Sequence, residues 1–573
     1  MTDDDPPPAG QRLSRDGGDK GLSLGERVSL TLHRLQIGSP LHRMRLKGRF
    51  PLKLLAVPHD PVAGDVSRGR ALVADGKLSH AGTTIEMRDF AGALTTAPQA
   101  WRDWAHSFAF LRDIAAATDR AAGARAAEKL VRTWLMQFSE FETAAWRPDL
   151  SGLRLVACAS YAPYFLGGND LVHRSNVLNH LARAARHIER VVDKIPDGLD
   201  RLDALTGLLA ASLLLPGGEA RQVKVEAQID RTLAALLLPD GGLVSRNPLE
   251  HVCVLERLLT LQALYAARQL RPADMVADGL ARAVPGVKAL VLGDGGLVSM
   301  HGSPSGFAAR TARAIEASGV MEKATQNGRW SGVQRLSANR TVLVLDAGPP
   351  PVARASTCAH AGTLAFELSD GPNRIIVNCG GGSGLPRPFP AELAAGLRTT
   401  AAHSTLTLAD TNSTRIRDDG TLGRGVGEVI ASRQESEEGI WVEASHDGYV
   451  RRHALVHTRK LYLSADGGDL RCEDELAPPG GKPSRKAANA RFDVRLHLAV
   501  DVEASPTADG NGALLKLGSG NLWQFRARGG SVTLEESLVI ADDGRPTPTQ
   551  QLVVSGETSR EGASVSWSLK RIR

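Results

Sequence analysis

Between about residues 100 and 325 the apolar side chains recur at helical spacing, and Gly or Pro separates one run from the next. In NVLNHLARAARHIERVVDK, residues 176–194, Leu178, Leu181, Ala185, Ile188 and Val192 are spaced 3, 4, 3 and 4 apart. That spacing predicts a helix with one buried stripe and an Arg/His/Glu outer face, where His173, His180 and His187 are expected to meet solvent. The stretches 202–215, 218–238 and 249–268 follow the same rule. Amphipathic helices in such succession, joined by short polar links, stack as antiparallel pairs around a concave groove. The lack of a fixed-period repeat favours a closed toroid over a solenoid.

From about residue 335 the period changes to two. TVLVLDAG, TLAFELS, RIIVNC, STLTLA, IWVEAS, KLYLS, DVRLHLAV, ALLKL, LWQFRA, VTLEESLVIA, TQQLVVSG and SVSWSLK follow one another with Gly, Asp, Asn or Pro turns between them. Twelve short strands with no helical pattern interposed predict a large antiparallel sandwich. The expected architecture is therefore multidomain α + β, an N-terminal (α/α) toroid followed by a C-terminal β-sandwich. Its expected bounds are a disordered tail over 1–27, an extension over 28–98, the toroid over 99–325 and the sandwich over 335–573.

Composition narrows the picture. A chain of 573 residues exceeds one ordinary core, and 42% hydrophobic with 23% charged residues is the balance of a soluble globular protein. No apolar run reaches the ~18 to 20 residues of a membrane helix, so no membrane span is expected. The start, MTDDDPPPAGQRLSRDGGDKG, is polar and lacks a basic leader with an apolar core, which predicts a cytoplasmic protein. Five scattered cysteines without a CxxC argue against a disulfide framework or zinc ribbon. A net charge of +6 spread along the chain and only 4% aromatic residues give no nucleic-acid signature. GGGSG at 380–384 lacks the Lys-Ser/Thr of a phosphate loop and reads as a flexible loop.

Polar residues gather at predicted strand ends. Cys358 and His360 precede one strand, Asn378 ends the next, and Arg398 and His403 stand at the entrance of another. EASHDGYVRRHALVH adds His446, Asp447, Tyr449, His453 and His457. His360, Asn378 and His403 could ligate a metal through two imidazoles and an amide oxygen, or hydrogen-bond loop backbone. His457 and His497 alternate with apolar neighbours and read as satisfied core histidines. In the helical half, DGGLVSRNPLEH places Arg246, Glu250 and His251 at a helix entry, and HGSPSG places His301 in a turn beside the groove. No GxSxG elbow is present.

The order of the two halves, DGGLVSRNPLEH, the HAG at 360–362, IIVNCG at 375–380 and RTTAAHST at 398–405 together resemble the heparinase II/III family of polysaccharide lyases. The resemblance runs from about residue 100 to the end, and the block SHDGYVRRHALVHTRKLYLS extends it. It implies β-elimination on an acidic, uronate-containing polysaccharide or oligosaccharide, in which a base takes the C5 proton while the uronate carboxylate is neutralised. On that reading His251 or Tyr449 is the base, with Glu250 and Cys358 beside it. Arg246 and Arg398 clamp the carboxylate, His301 and His446 hold sugar, and His360, Asn378 and His403 form a structural zinc site. Relatives that degrade polymers are typically exported, so the periplasm is the alternative location. The chain also departs from the family pattern. Glu250 replaces the tyrosine of SPxYH, Leu199-Asp200 replaces an Asn-His pair, Cys358 a histidine, and Asn378 an aspartate. These changes leave two further expectations: a glycan-binding protein of envelope polysaccharide metabolism without elimination chemistry, or hydrolysis by Glu250 paired with Asp240 or Asp200.

Overall fold

The computed structural model describes residues 11–15, 39–168, 170–385 and 389–572. Helices Arg120–Phe138, Pro148–Ser160, Leu171–Val191, Leu199–Leu214, Glu219–Leu236, Pro248–Ala267 and Asp274–Ala289 succeed one another as the (α/α) toroid. Asp119, Asp170 and Asn247 begin three of them by accepting from the N–H groups of Ala122, His173 and Glu250. Leu199–Leu214 is buried almost all round, as an inner helix must be. It meets Pro148–Ser160 backbone to backbone at Gly207 and Gly152, where a Cβ on Gly152 would lie 2.2 Å from the Asp203 carbonyl.

The toroid begins earlier than its helical periodicity predicts. Leu46, Leu72, Leu78 and Phe90, from the expected extension, share one apolar core with Leu205 and Leu255. The histidines expected on a solvated face are buried as well: His173, His180 and His187 are 4%, 3% and 1% exposed. His180 lies between Trp134 and Trp146 and accepts from Arg154 Nε at 3.1 Å, and His187 pairs with His42.

The sandwich consists of two antiparallel sheets. The nine-stranded sheet runs Gln11–Ser14, Glu428–Glu435, Gly439–His446, Val456–Ser464, Asp469–Ala477, Ala563–Ile572, Leu522–Arg528, Gly512–Lys516 and Glu503–Pro506. The eight-stranded sheet runs Ser531–Ile540, Pro546–Glu557, Arg491–Leu498, Asn373–Val377, Phe366–Asp370, Thr341–Asp346 and Val333–Ala338, with Leu406–Leu408 also paired to Arg491–Leu498. All twelve expected strands are present. Within the expected tail, Gln11–Ser14 is an ordered edge strand in register with Glu428–Ala431. Apart from Gln11–Arg15, that tail lies outside the described residues.

Toroid and sandwich meet through a small apolar cluster in which Ala289, Leu290, Leu292, Val298 and Met300 pack on Val333, Val342 and Val344. Among the described residues no helix is long and apolar enough to cross a membrane.

Candidate functional site

The hexapeptide DGGLVS occurs twice, at 240–245 and 294–299, and both copies fasten the toroid to the link and sandwich downstream of it. Asp240 accepts from Gly242 N–H at 3.0 Å and, in the interdomain link, from Trp330 N–H, Ser331 N–H and Ser331 Oγ at 2.8, 2.8 and 2.9 Å. With both carboxylate oxygens engaged there, Asp240 does not serve as the hydrolytic partner of Glu250. Asp294 accepts from Gly296 N–H and from the guanidinium of Arg374, a sandwich residue, at 2.8 and 3.2 Å. In the sequence only the first copy stands at the entry of a long amphipathic helix; the identity of the second hexapeptide is the signal that marks the other fastening.

Beyond these turns, several residues expected to touch substrate are drawn into the domain joint. Arg246 donates to the Pro349 carbonyl at 2.8 Å and forms a buried ion pair with Asp346. His301 Nε2 stands 3.0 Å from the other oxygen of the same carboxylate. Burial opposes the charge on Asp346, but Arg246 and then His301 outweigh it and hold the carboxyl at about 2. Arg246 and His301 are thus joint residues rather than substrate-binding groups. His251 is also sealed: it is 0% exposed, and burial lowers it to about 4. Gly286 on the next helix makes room for its ring, since a Cβ there would lie 2.8 Å from His251 Cε1. A base must reach its proton, and His251 faces the helix core instead.

What remains at this helix entry is acidic. Glu250 is half-buried at the start of Pro248–Ala267, where burial pushes its carboxyl up; the Ser245 hydroxyl opposes the rise and Asp200 adds to it. Asp200 is raised by desolvation, then by Asp149 and Asp203. The nearby arginines are committed elsewhere, Arg147 to Asp149 and Asp103, and Arg257 to Asp203. The GGGSG segment packs over this entry. Ser383 N–H donates to the Gly302 carbonyl at 2.9 Å, and a Cβ on Gly384 would come within 2.7 Å of Leu249.

Comparison with known proteins places this arrangement. Residues 321–568 match the family model described as Heparinase II/III-like, C-terminal. The sandwich is a heparinase II/III-like C-terminal domain. Over almost the whole chain the fold is that of heparinase III, with a TM-score of 0.67 at 13% identity over 98% of this chain and 93% of that one. Heparan sulfate lyase HepC from Pedobacter heparinus gives a TM-score of 0.57 at 13% identity, covering 98% of this chain and 92% of that one. A relative from Caulobacter vibrioides (strain NA1000 / CB15N), FtsZ-localized protein C, is 28% identical over 549 residues, 93% of each chain.

In this heparinase II/III-like domain the expected zinc does not fit the donors. His403 Nδ1 lies 2.7 Å from the Thr399 carbonyl, to which it must donate, so its Nε2 accepts from His360 Nδ1 at 3.1 Å. Burial keeps both rings neutral, holding His403 at about 4 and His360 well below its usual value. Asn378 Oδ1 accepts from Ser404 N–H at 2.8 Å, while Nδ2 donates to the Ser299 carbonyl at 3.0 Å and Glu367 Oε1 at 3.2 Å. Among the described residues no three His, Cys, Asp or Glu groups are placed to hold a metal.

Two further expectations are overturned within the domain. Tyr449 is 1% exposed, its hydroxyl donates to the Leu406 carbonyl at 2.8 Å, and burial raises its pKa. His446 belongs to a buried chain in which its Nε2 meets His457 Nδ1 at 3.3 Å and His457 Nε2 meets Asp474 at 2.8 Å. Neither residue reaches the groove. His457 and His497 are satisfied core histidines, as expected, His497 lying between Ser537 Oγ and the Ala401 carbonyl. Arg398 donates through Nε and Nη2 to the carbonyls of Ala359, Ser356 and Gly420, which fixes the turn bearing Cys358 rather than clamping a uronate. Of the four residues expected to be catalytic, Glu250 and the exposed free thiol of Cys358 reach solvent, while His251 and Tyr449 are sealed.

Proposed function

We propose that this protein is a glycan-binding protein on the heparinase fold that does not carry out β-elimination and that acts where FtsZ assembles. The observation that carries the reading is the carboxylate pair of Glu250 and Asp200 at the positions where the family resemblance leads one to expect tyrosine and asparagine-histidine. Elimination requires a uronate carboxylate to be neutralised as its C5 proton leaves, and a Glu250 carboxyl already raised by burial and by Asp200 disfavours a further anion beside it. The groove suits a neutral or amino sugar better than a uronate. The name of the Caulobacter relative supports the setting at FtsZ.

The test is to incubate the purified chain with a panel of uronate-containing glycans while following ultraviolet absorbance of unsaturated uronate. Binding of neutral and amino-sugar oligomers is measured calorimetrically in parallel. Saturable binding without absorbance is expected, and it should weaken at least tenfold in Glu250→Gln/Asp200→Asn. Unsaturated product from any panel member would return the protein to the lyases. A second reading, hydrolysis by Asp200 and Glu250, is favoured by both carboxyls being raised, chiefly by burial, which is the direction a general acid needs. New reducing ends in the same incubations would establish it.

A further inference from the structure

The hairpin formed by residues 415–424 and the short helix Val450–His453 together present five arginines around one concavity of about 490 Å³ on the sandwich. In the hairpin, Arg415 N–H donates to the Arg424 carbonyl at 2.9 Å and Arg417 N–H to the Thr421 carbonyl at 2.9 Å. The bridge between Ile416 and Leu422 sends Arg415 and Arg417 to one face, and Arg424 lines the same concavity from the returning strand. The helix adds Arg451 and Arg452, and the buried Tyr449 hydroxyl anchors it. Gly425 and Gly448 leave backbone bare between them.

Among the described residues no carboxylate lines this concavity. Asp447 Oδ1 accepts from Gly427 N–H at 2.8 Å and Glu428 N–H at 3.1 Å, and Asp419 Oδ1 accepts from Thr421 N–H at 2.9 Å and from the Thr421 hydroxyl at 2.6 Å. Among the described residues none of the five arginines forms an ion pair, and Arg417 alone has a side-chain partner, the Thr421 hydroxyl at 3.1 Å. Arginines elsewhere in the protein pair readily with Asp or Glu, so five unpaired ones converging on one concavity set this surface apart.

We propose that the concavity binds a compact anion bearing two or more adjacent phosphate groups. Guanidinium forks match phosphate oxygens in bidentate pairs, and neighbouring phosphates supply several charges within a few ångströms. A uronate chain spreads single charges along an extended backbone and cannot meet five cations in so small a volume. Among the described residues no Trp, Tyr or Phe lines the concavity, so neither a nucleobase nor a sugar ring finds a stacking face, which separates it from a nucleic-acid groove. The chemistry could come from a soluble diphosphate ester or from a phosphorylated lipid headgroup. The inference is independent of what the Glu250 groove binds.

The experiment is calorimetric titration of the full chain with pyrophosphate, for the wild type and for Arg451→Ala/Arg452→Ala and Arg415→Ala/Arg424→Ala. These four side chains are exposed, so the variants should melt like the wild type without ligand, which a thermal scan checks. Pyrophosphate should bind the wild type, at least tenfold more tightly than either variant, and binding should weaken steeply with salt. Displacement by a nucleoside diphosphate identifies a soluble source, and displacement by phosphatidylcholine vesicles carrying a lipid diphosphate, but not by phosphatidylcholine alone, a membrane one; each supports the proposal. Absence of pyrophosphate binding, equal affinity in the variants, or tighter binding of a heparin tetrasaccharide or single-stranded DNA would each overturn it.

Discussion

Asn378 stands where the family pattern has an aspartate, and its neighbours explain the amide. Its Nδ2 donates to Glu367, a buried carboxyl raised by desolvation, and to the Ser299 carbonyl across the domain joint. An aspartate there would set an acceptor against two acceptors and a second charge beside Glu367. Asn378→Asp should therefore cost about 3 kcal/mol at neutral pH, read as a lower urea midpoint, and part of the loss should return below pH ~5 as one carboxyl takes a proton. Wild-type stability at pH 7 would show that the amide is not needed. The substitution itself was visible in the sequence; its reason was not, because Ser299 lies 79 residues away. His251 teaches the same lesson, since its place at a helix start was legible while its burial depends on Gly286 of another helix.

At the level of elements, hydrophobic period alone recovered the succession of helices beyond about residue 100 and twelve of the sandwich strands, but not the upstream helices such as Val66–Asp75. The strands it missed are those whose outward face is charged or that lie at an edge. Glu428–Glu435 and Asp469–Ala477 alternate apolar residues with Arg, Glu and Asp, and Gln11–Ser14 and Glu503–Pro506 have little apolar content to register. The first DGGLVS turn carries the family resemblance and the expected groove, yet it and its second copy each use the aspartate as a fastening. Asp240→Ala would leave the Trp330 and Ser331 amides without their acceptor, at a cost of about 2 to 4 kcal/mol. The expected result is a lower melting temperature together with faster proteolytic cleavage within 319–336. Unchanged cleavage would mean that the apolar cluster of Leu290, Met300 and Val344 holds the link by itself.

For the molecule as a whole, histidines kept neutral by burial, His251 on the toroid side of the joint and His403 and His497 in the sandwich, fix how the protein should respond to acid. His251 and His403 are held at about 4 and His497 at about 3, all below the ordinary 6.5. The unfolded chain takes up protons at these rings below pH 6.5 while the folded chain does not, so their contribution is present above 6.5 and lost as pH falls toward the folded values. Each fully buried ring then contributes a slope of about 1.4 kcal/mol per pH unit across that window. Asp346, depressed to about 2 by Arg246 and His301, also favours the folded state above its unfolded value, but that share disappears only below pH ~4. The histidines therefore act first, and His251 and His403 lie on opposite sides of the joint. Acidification from pH 7 to 5 should lower the urea midpoint steadily and swell the radius of gyration in small-angle scattering before the sandwich loses its β-sheet circular dichroism. Replacing His251 with leucine should flatten the slope by about one ring's share. A urea midpoint that is level between pH 6.5 and 4.5 would mean that these rings are hydrated or protonated in the folded protein, and the neutral-histidine joint would have to be abandoned.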